Sequence, residues 1–492
     1  MLLPADRLLA ALATEFAKLI PRLADSGTDG SAAQSIAAAI LLLGNREKGG
    51  TAFLDAQFAK LGTMLDTVEA HSRGAATNSV KALRAHIIQA QEARGFTAKE
   101  AAWRELLAET QAYAMDLLAD ASLSPFGRNA ISAAFVAWEA GDRQAQIAPA
   151  DASQITDTVQ ITPENLTTYL RDRFDEPGME VTSVTPLAGG FGKETTLFEV
   201  SGRALSGAFV MRRDLAGGAS ITNDCHRNVM EYPVIKAAHA RGFPAPDAAW
   251  LDTEHKLLPG GDFIIMHKSP GKIGGSFFGA QTAIPDNLVD SLAAIMAGLH
   301  ALEPLTELGD LNPAINTALW KKSRSESTGD YISGWRDYFL ANNHTPSPSL
   351  MALFGWLLGN VPPREGRSVL LHGDFGFHNF LFEDGRLSAV LDWEFAHIGD
   401  PAEELGYVRE TVGKSIDWDR LMANYIAAGG DPVDDVALRY FRVWANVRNA
   451  AGSNLIGANF VAGLADDLKL TFLPYFHFPM FITAAQALIE GA

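Results

Sequence analysis

Residues Val369 to Asp400 read VLLHGDFGFHNFLFEDGRLSAVLDWEFAHIGD, and no other stretch of the chain restricts its fold as much. Two apolar runs, Val369–Leu371 and Phe380–Phe382, flank a polar turn that carries His372, Gly373, Asp374 and Asn379. A third run, Leu387–Leu391, ends on Asp392. Short β-prone runs separated by Gly, Asp and Asn predict strands joined by tight loops. Strand ends are rigid, so polar side chains placed there can converge on one point. Any one of these residues alone is most simply a turn residue of a β-hairpin. The combination H-G-D-x4-N with a downstream D-W-E is not. At about 5% usage per residue type, five or six fixed positions recur by accident in well under roughly one in a thousand chains of this length.

An Asp, an Asn five residues on and a second Asp thirteen further suit phosphoryl transfer. In that chemistry one Asp orients an attacking hydroxyl and accepts its proton, while the Asn and the second Asp hold Mg²⁺ on nucleotide phosphates. The expectation is therefore that Asp374 is catalytic and that Asn379 and Asp392 are metal ligands.

At 492 residues the chain is long enough for two or three domains. Its 47% hydrophobic and 20% charged content is that of a globular protein. The lone Cys225 excludes an intrachain disulfide and a Cys-built zinc site. Asp6 and Arg7 interrupt the first apolar residues, and Leu8, Leu9, Leu12, Phe16 and Ile20 keep helical spacing. That predicts an amphipathic helix and not a signal peptide. The longest apolar run, Ile36–Leu43, is far short of a membrane span, so a cytoplasmic protein without membrane association is expected. Of the net charge of −18, residues 1–150 contribute little, with 14 basic and 16 acidic side chains. No basic stripe with interleaved aromatics occurs, which argues against a nucleic-acid partner.

Residues 5–141 predict helices throughout, at 5–20, 31–45, 51–71, 77–94, 98–119 and 125–140. Thr97 with Glu100 predicts a capping box for the fifth and Ser124-Pro125 opens the sixth. The expected organisation is a helical bundle over 1–145 for docking or dimerisation, a linker over 146–161, a nucleotide-binding lobe over 162–268 and a catalytic lobe over 269–492. Thr162-Pro163 starts a helix ahead of the strands. Gly189, Gly190 and Gly192 either let backbone N–H groups approach a phosphate or form a plain hairpin turn. On the strand over 207–213, Ala208, Val210 and Arg212 share one face, opposite Phe209, Met211 and Arg213. A cation there is placed for α/β-phosphates, with Glu231 on the following helix as its partner. A further strand runs into His267-Lys268 and a Pro/Gly loop, where an adenine would meet backbone.

From about residue 180 onward the chain resembles the aminoglycoside phosphotransferase and choline-kinase-like family, a branch of the protein-kinase-like fold. The resemblance is carried by LLHGDFGFHNFLF, by VLDWEFAHIGDP and by the LHALEP end of residues 299–304. It implies an α+β, two-lobed kinase-like fold, here preceded by an all-α domain. It also implies Asp374 as base, Asn379 and Asp392 as metal ligands, His372 and Asp400 as structural supports, and Met266, His267 and Lys268 as hinge backbone. ATP with Mg²⁺ follows, GTP being the alternative nucleotide, because Arg212 replaces the usual Lys and the glycine turn is loosely matched. No A-P-E sequence or long activation segment follows Asp392, which points to a small-molecule acceptor. Aromatic residues crowd the C-terminal half and favour a partly apolar hydroxy compound, such as a hydroxyacyl-CoA. An antibiotic acceptor and a nucleotide-binding pseudokinase scaffold are the competing expectations. Residues 1–150 lie outside the resemblance and are the expected surface for a protein partner or a second copy.

Overall fold

The computed structural model describes residues 30–72, 77–145, 160–187, 193–214, 222, 225–258, 260–274, 284–303, 305, 308, 315, 318–413, 415–462 and 473–491. The chain divides into two units. One holds residues 1–156, 332–360 and 446–492, and the other 157–331 and 361–445.

The first unit is helical. Its N-terminal helices are Gly30–His71, Thr77–Glu92, Phe96–Ala119 and Pro125–Ala145. The helices expected at 31–45 and 51–71 are one continuous helix. Gly49 and Gly50 each cost it about 1 kcal/mol relative to Ala, which weakens a helix without ending it. The helix expected at 5–20 lies outside the described residues. The Thr97 capping box does not form. Gly95 stands at the N-cap with φ 86° and starts the helix before Thr97, with no side-chain cap. Trp103, Leu106, Leu107, Ala114 and Leu117 lie along one helical stripe and are buried. At the next start the Gly127 amide donates to Ser124 Oγ at 3.1 Å.

Helix Pro348–Gly359 and helix Phe478–Glu490 were expected with the catalytic lobe but group with these N-terminal helices. Pro348–Gly359 is apolar on nearly every side and packs against Phe96–Ala119 and Pro125–Ala145. A helix without a polar face has to be surrounded, and this one is surrounded by the bundle.

The second unit is built on a five-stranded antiparallel sheet. Its strands are β1 (Glu180–Leu187), β2 (Lys193–Ser201), β3 (Gly207–Asp214), β4 (Ala248–Asp252) and β5 (Phe263–His267), in the order β1-β2-β3-β5-β4. Helix Pro163–Phe174, capped by Thr162 with Asn165 as the reciprocal partner, covers one face. Leu166, Tyr169 and Leu170 there meet Phe198, Phe209, Met211, Phe263 and Ile265. Ile264 and Met266 point to the other face, toward Val234 and Ile235 of helix Asn228–Ala240. Because β3 alternates, Arg212 is on that second face with Val210, as its spacing predicts.

The remaining strands are short: β6 (Lys272–Ile273), β7 (Val369–Leu371), β8 (Phe380–Glu383), β9 (Arg386–Val390) and β10 (His397–Gly399). The three apolar runs of 369–391 thus become β7, β8 and β9. β8 and β9 form a hairpin through Asp384 and Gly385, at φ 49° and 73°, the positive pair that a two-residue turn requires. β7 instead pairs with β10, and β8 also pairs with β6. The polar turn 372–379 therefore bridges two small sheets, which fixes it at both ends.

Candidate active site

Gly373 stands at φ +79°, and a Cβ there would fall on the Phe395 carbonyl oxygen, so only glycine fits. The amides of His372 and Gly373 donate to the two oxygens of Glu404, at 3.1 and 2.8 Å. Burial pushes the Glu404 carboxyl up, but His300 by hydrogen bond and charge, and His372, outweigh it and leave the group below the usual carboxylate range. His372 Nε2–H donates to the Leu391 carbonyl at 2.8 Å, so Nδ1 is left to accept the Asp374 amide at 3.3 Å. One tautomer of one imidazole thus joins the Asp374 turn to the end of β9. Asp400 is fully buried, caps helix Pro401–Thr411 through the Ala402 amide, and takes Arg364 on both oxygens at 2.9 and 3.3 Å.

Three side chains converge on the Asp374 carboxylate. Asn379 Nδ2 donates to Oδ2 at 2.7 Å and to the Asp374 carbonyl at 3.0 Å. His378 Nε2 lies 3.3 and 3.2 Å from the two oxygens, and the Tyr407 hydroxyl donates to Oδ1. Burial alone would lower the His378 imidazole, but the charge and hydrogen bond of Asp374, with Asp392 beyond, raise it above its ordinary value. The Leu391 amide donates to the Asn379 carbonyl at 2.7 Å, tying this turn to the strand that delivers Asp392.

Asp392 follows β9 with φ +65°, a left-handed conformation rare for a residue with a side chain. Arg212 bridges from it, with Nη2 2.7 Å from Asp392 Oδ1 and Nη1 2.8 Å from Glu231 Oε1. Burial would lower the guanidinium pKa, but Asp392 and Glu231 raise it further above its ordinary value. Glu231 is wholly buried and also accepts the Trp393 amide at 3.0 Å and the Lys193 ammonium. Lys193 is 3.5 Å from Glu394, which has His226 at 3.4 Å on its other side. Of the expected pairings, Arg212–Glu231 is present and extends to Asp392. Met266 lies in β5, the His267 amide donates to the Asp247 carbonyl, and the Lys268 amide donates to that of Ala208. Gly189, Gly190 and Gly192 lie outside the described residues.

Sequence reasoning missed Lys193, His378, Glu394, Glu404 and Tyr407. Lys193 and His378 had a signal, since one ends the glycine-rich stretch and the other fills a variable place of H-G-D-x4-N. Tyr407 had none, because its contact with Asp374 spans a strand pair and a helix.

A buried helix Glu under a β3 cation and two Asp-bearing turns are features that kinase-like phosphoryl transfer also uses. The sequence model of the phosphotransferase enzyme family, APH, matches residues 183–442, just over half of the chain. The chain belongs to this family. As a member of it, the chain has a kinase-like α+β fold and belongs among phosphotransferase enzymes. The family match favours the enzyme over the scaffold expectation. Rat acyl-CoA dehydrogenase family member 11 is 27% identical over 265 residues, 51% of this chain and 32% of that protein. The chain thus spans about a third of the length of that curated relative. Viomycin phosphotransferase of Streptomyces vinaceus is 40% identical over 67 residues, 13% of this chain and 22% of that protein. Among solved structures, a macrolide 2'-phosphotransferase from Brachybacterium faecium gives a TM-score of 0.40 at 20% identity, over 61% of this chain and 98% of that one. No helix among the described residues is long and apolar enough to cross a membrane.

Proposed function

We propose that the protein transfers the γ-phosphate of ATP to the hydroxyl of a hydroxyacyl-CoA or a similar catabolic hydroxy compound. The observation that carries the transfer step is the Asp374 carboxylate, oriented by Asn379, His378 and Tyr407 at the end of a turn anchored in two sheets. A side chain so held aligns an acceptor hydroxyl and takes its proton, and the gain comes from positioning more than from basicity.

Asn379 and Asp392 are the groups that would hold Mg²⁺. Their donor set is one carboxamide and one carboxylate oxygen, both hard ligands. Among the described residues no group of three or more His, Cys, Asp and Glu forms a closed metal cage. A pair of hard oxygen donors is what Mg²⁺ uses when it keeps several waters and binds through one or two protein ligands together with substrate phosphates. When bound, the ion neutralises charge on the phosphoryl group in flight. Arg212, braced by Glu231, offers a planar fork to the α/β-phosphates, where a Lys would offer a point charge. Gly189, Gly190 and Gly192 would add backbone N–H groups at the phosphates, and Met266 to Lys268 the backbone beside the base. Since the His267 and Lys268 amides already donate within the sheet, the base would use other backbone groups there.

The acceptor class draws on the relatives. A relative named for an acyl-CoA dehydrogenase family supports an acyl-CoA-linked hydroxy compound. The viomycin phosphotransferase segment favours an antibiotic acceptor as the second reading. A panel of hydroxyacyl-CoAs, free hydroxy acids and antibiotics with Mg·ATP, followed by mass spectrometry, separates them. Phosphorylation of antibiotics alone would overturn the first reading. Asp374→Ala should remove transfer and largely spare nucleotide binding, whereas Asp392→Ala should weaken Mg·ATP binding itself.

A further inference from the structure

The phosphoryl-transfer reading gives no role to Lys193, a buried cation beside Glu231. Lys193 opens β2 directly after residues 189–192, the glycine-rich segment. Its ammonium bonds Glu231 of helix Asn228–Ala240 and lies 3.5 Å from Oε2 of Glu394, two residues beyond Asp392. Exposure is graded through the cluster: the side chains of Asp392, Arg212 and Lys193 are 36%, 12% and 1% exposed. A phosphate arriving from solvent can meet Asp392 and Arg212, while Lys193 stands behind them. Burial would lower the Lys193 pKa, but Glu231 and Glu394 raise it against the opposing charge of Arg212, so the ammonium stays charged.

The division of contacts is informative. Lys193 takes Oε2 of Glu231, and Arg212 with the Trp393 amide takes Oε1. A lone β3 cation would have to neutralise Glu231 and serve the ligand with the same group. Here Glu231 is neutralised from β2, and the second Nη of Arg212 reaches Asp392.

We propose that Lys193 is a positioning residue for nucleotide phosphates: it fastens the start of β2 to Glu231 and to the Asp392–Glu394 segment, and so leaves Arg212 to the ligand. This rests on the reading of Arg212 and Asp392 as nucleotide-binding groups. Lys193 acts through them and touches no ligand.

The test is titration calorimetry of the full chain with Mg·AMP-PNP, which needs no knowledge of the acceptor. Lys193→Met is expected to weaken binding by about tenfold or more, since small misplacements of a phosphate clamp have large effects, and Lys193→Arg to restore most of it. Lys193→Met removes one counter-charge from two buried carboxylates, so Lys193→Met/Glu394→Gln, which removes the surplus charge, carries the test should the single variant unfold. That double variant is expected to fold and still bind weakly. Wild-type affinity in either variant, or a lowered melting temperature with affinity unchanged, overturns the proposal by making Lys193 purely structural. A wild-type chain that fails to bind Mg·AMP-PNP overturns the underlying nucleotide-site reading instead, and the Lys193 inference with it.

Discussion

Two buried ion clusters in this chain are built to different ends. In the helical unit, Glu139 and Arg143 sit one turn apart on helix Pro125–Ala145, with Nη2 3.1 Å from Oε1. Glu139 also accepts the Ser347 hydroxyl at 2.8 Å and the Ser349 amide at 3.0 Å, and so caps helix Pro348–Gly359. Arg143 lies over the Phe478 ring, 4.8 Å from its centroid. Every contact closes packing. The cluster on Glu231 joins β2, β3, helix Asn228–Ala240 and the segment after β9, and it opens outward to Asp392. Buried charge alone is therefore no sign of chemistry. A cluster that grades from a sealed carboxylate to an accessible one is.

Substitutions can break that contrast. Glu139→Gln leaves Arg143 buried without its counter-charge and removes part of a helix cap. It is expected to cost about 3–5 kcal/mol in urea unfolding, with kcat/KM per folded molecule unchanged. Glu231→Gln is expected to act the other way round. By releasing Arg212 and Lys193 it should lower kcat/KM for Mg·ATP by about 10²–10³-fold, the range for losing one preorganised electrostatic group. If the two variants gave the same profile, the two clusters would not differ in kind. A smaller effect is expected from Gly373→Ala, where φ +79° and the Phe395 carbonyl oppose a side chain. Strain of about 1–3 kcal/mol should appear as lowered stability with a matching fall in kcat.

Acid should separate the two units as well. Burial lowers His477 to about 4, and burial with Arg143 lowers His344 well below its ordinary value. Unfolded histidines titrate near pH 6.5. As pH falls from there toward about 4, the unfolded helical unit binds protons that the folded one refuses, so its stability declines. Glu404 has the opposite window. Its folded value is depressed by His300 and His372 against burial, so its contribution is full above the unfolded carboxylate value and is lost only as pH falls through the lower folded one. Hydrogen exchange, corrected for its intrinsic pH dependence, should show protection lost in 478–490 at higher pH than in 369–379. Equal onset in both segments would contradict this.

The polar residues of 369–400 were legible because their spacing is local: strand, turn and strand hold Asp374, Asn379 and Asp392 within a short run of chain. Arg212 was legible from strand alternation and Glu231 from helix placement. Tyr407 and the partners of Lys193 and Glu394 were not, because those contacts are set by how strands and helices stack, which no periodicity records. The same limit explains helix Pro348–Gly359. Its apolar sequence predicts burial but not which helices bury it. Gly95 shows the reverse case, a backbone conformation that overrode a well-formed Thr97–Glu100 cap signal.

In the proposed function Asp374 activates a small-molecule hydroxyl at a Mg·ATP site. The most direct measurement is acceptor phosphorylation by wild type and Asp374→Asn with Mg·ATP and a hydroxyacyl-CoA, read by mass spectrometry beside Mg·AMP-PNP affinity. Phosphorylated acceptor is expected from the wild type, none above background from Asp374→Asn, and similar nucleotide affinity for both. Undiminished phosphorylation by Asp374→Asn would contradict this role of Asp374.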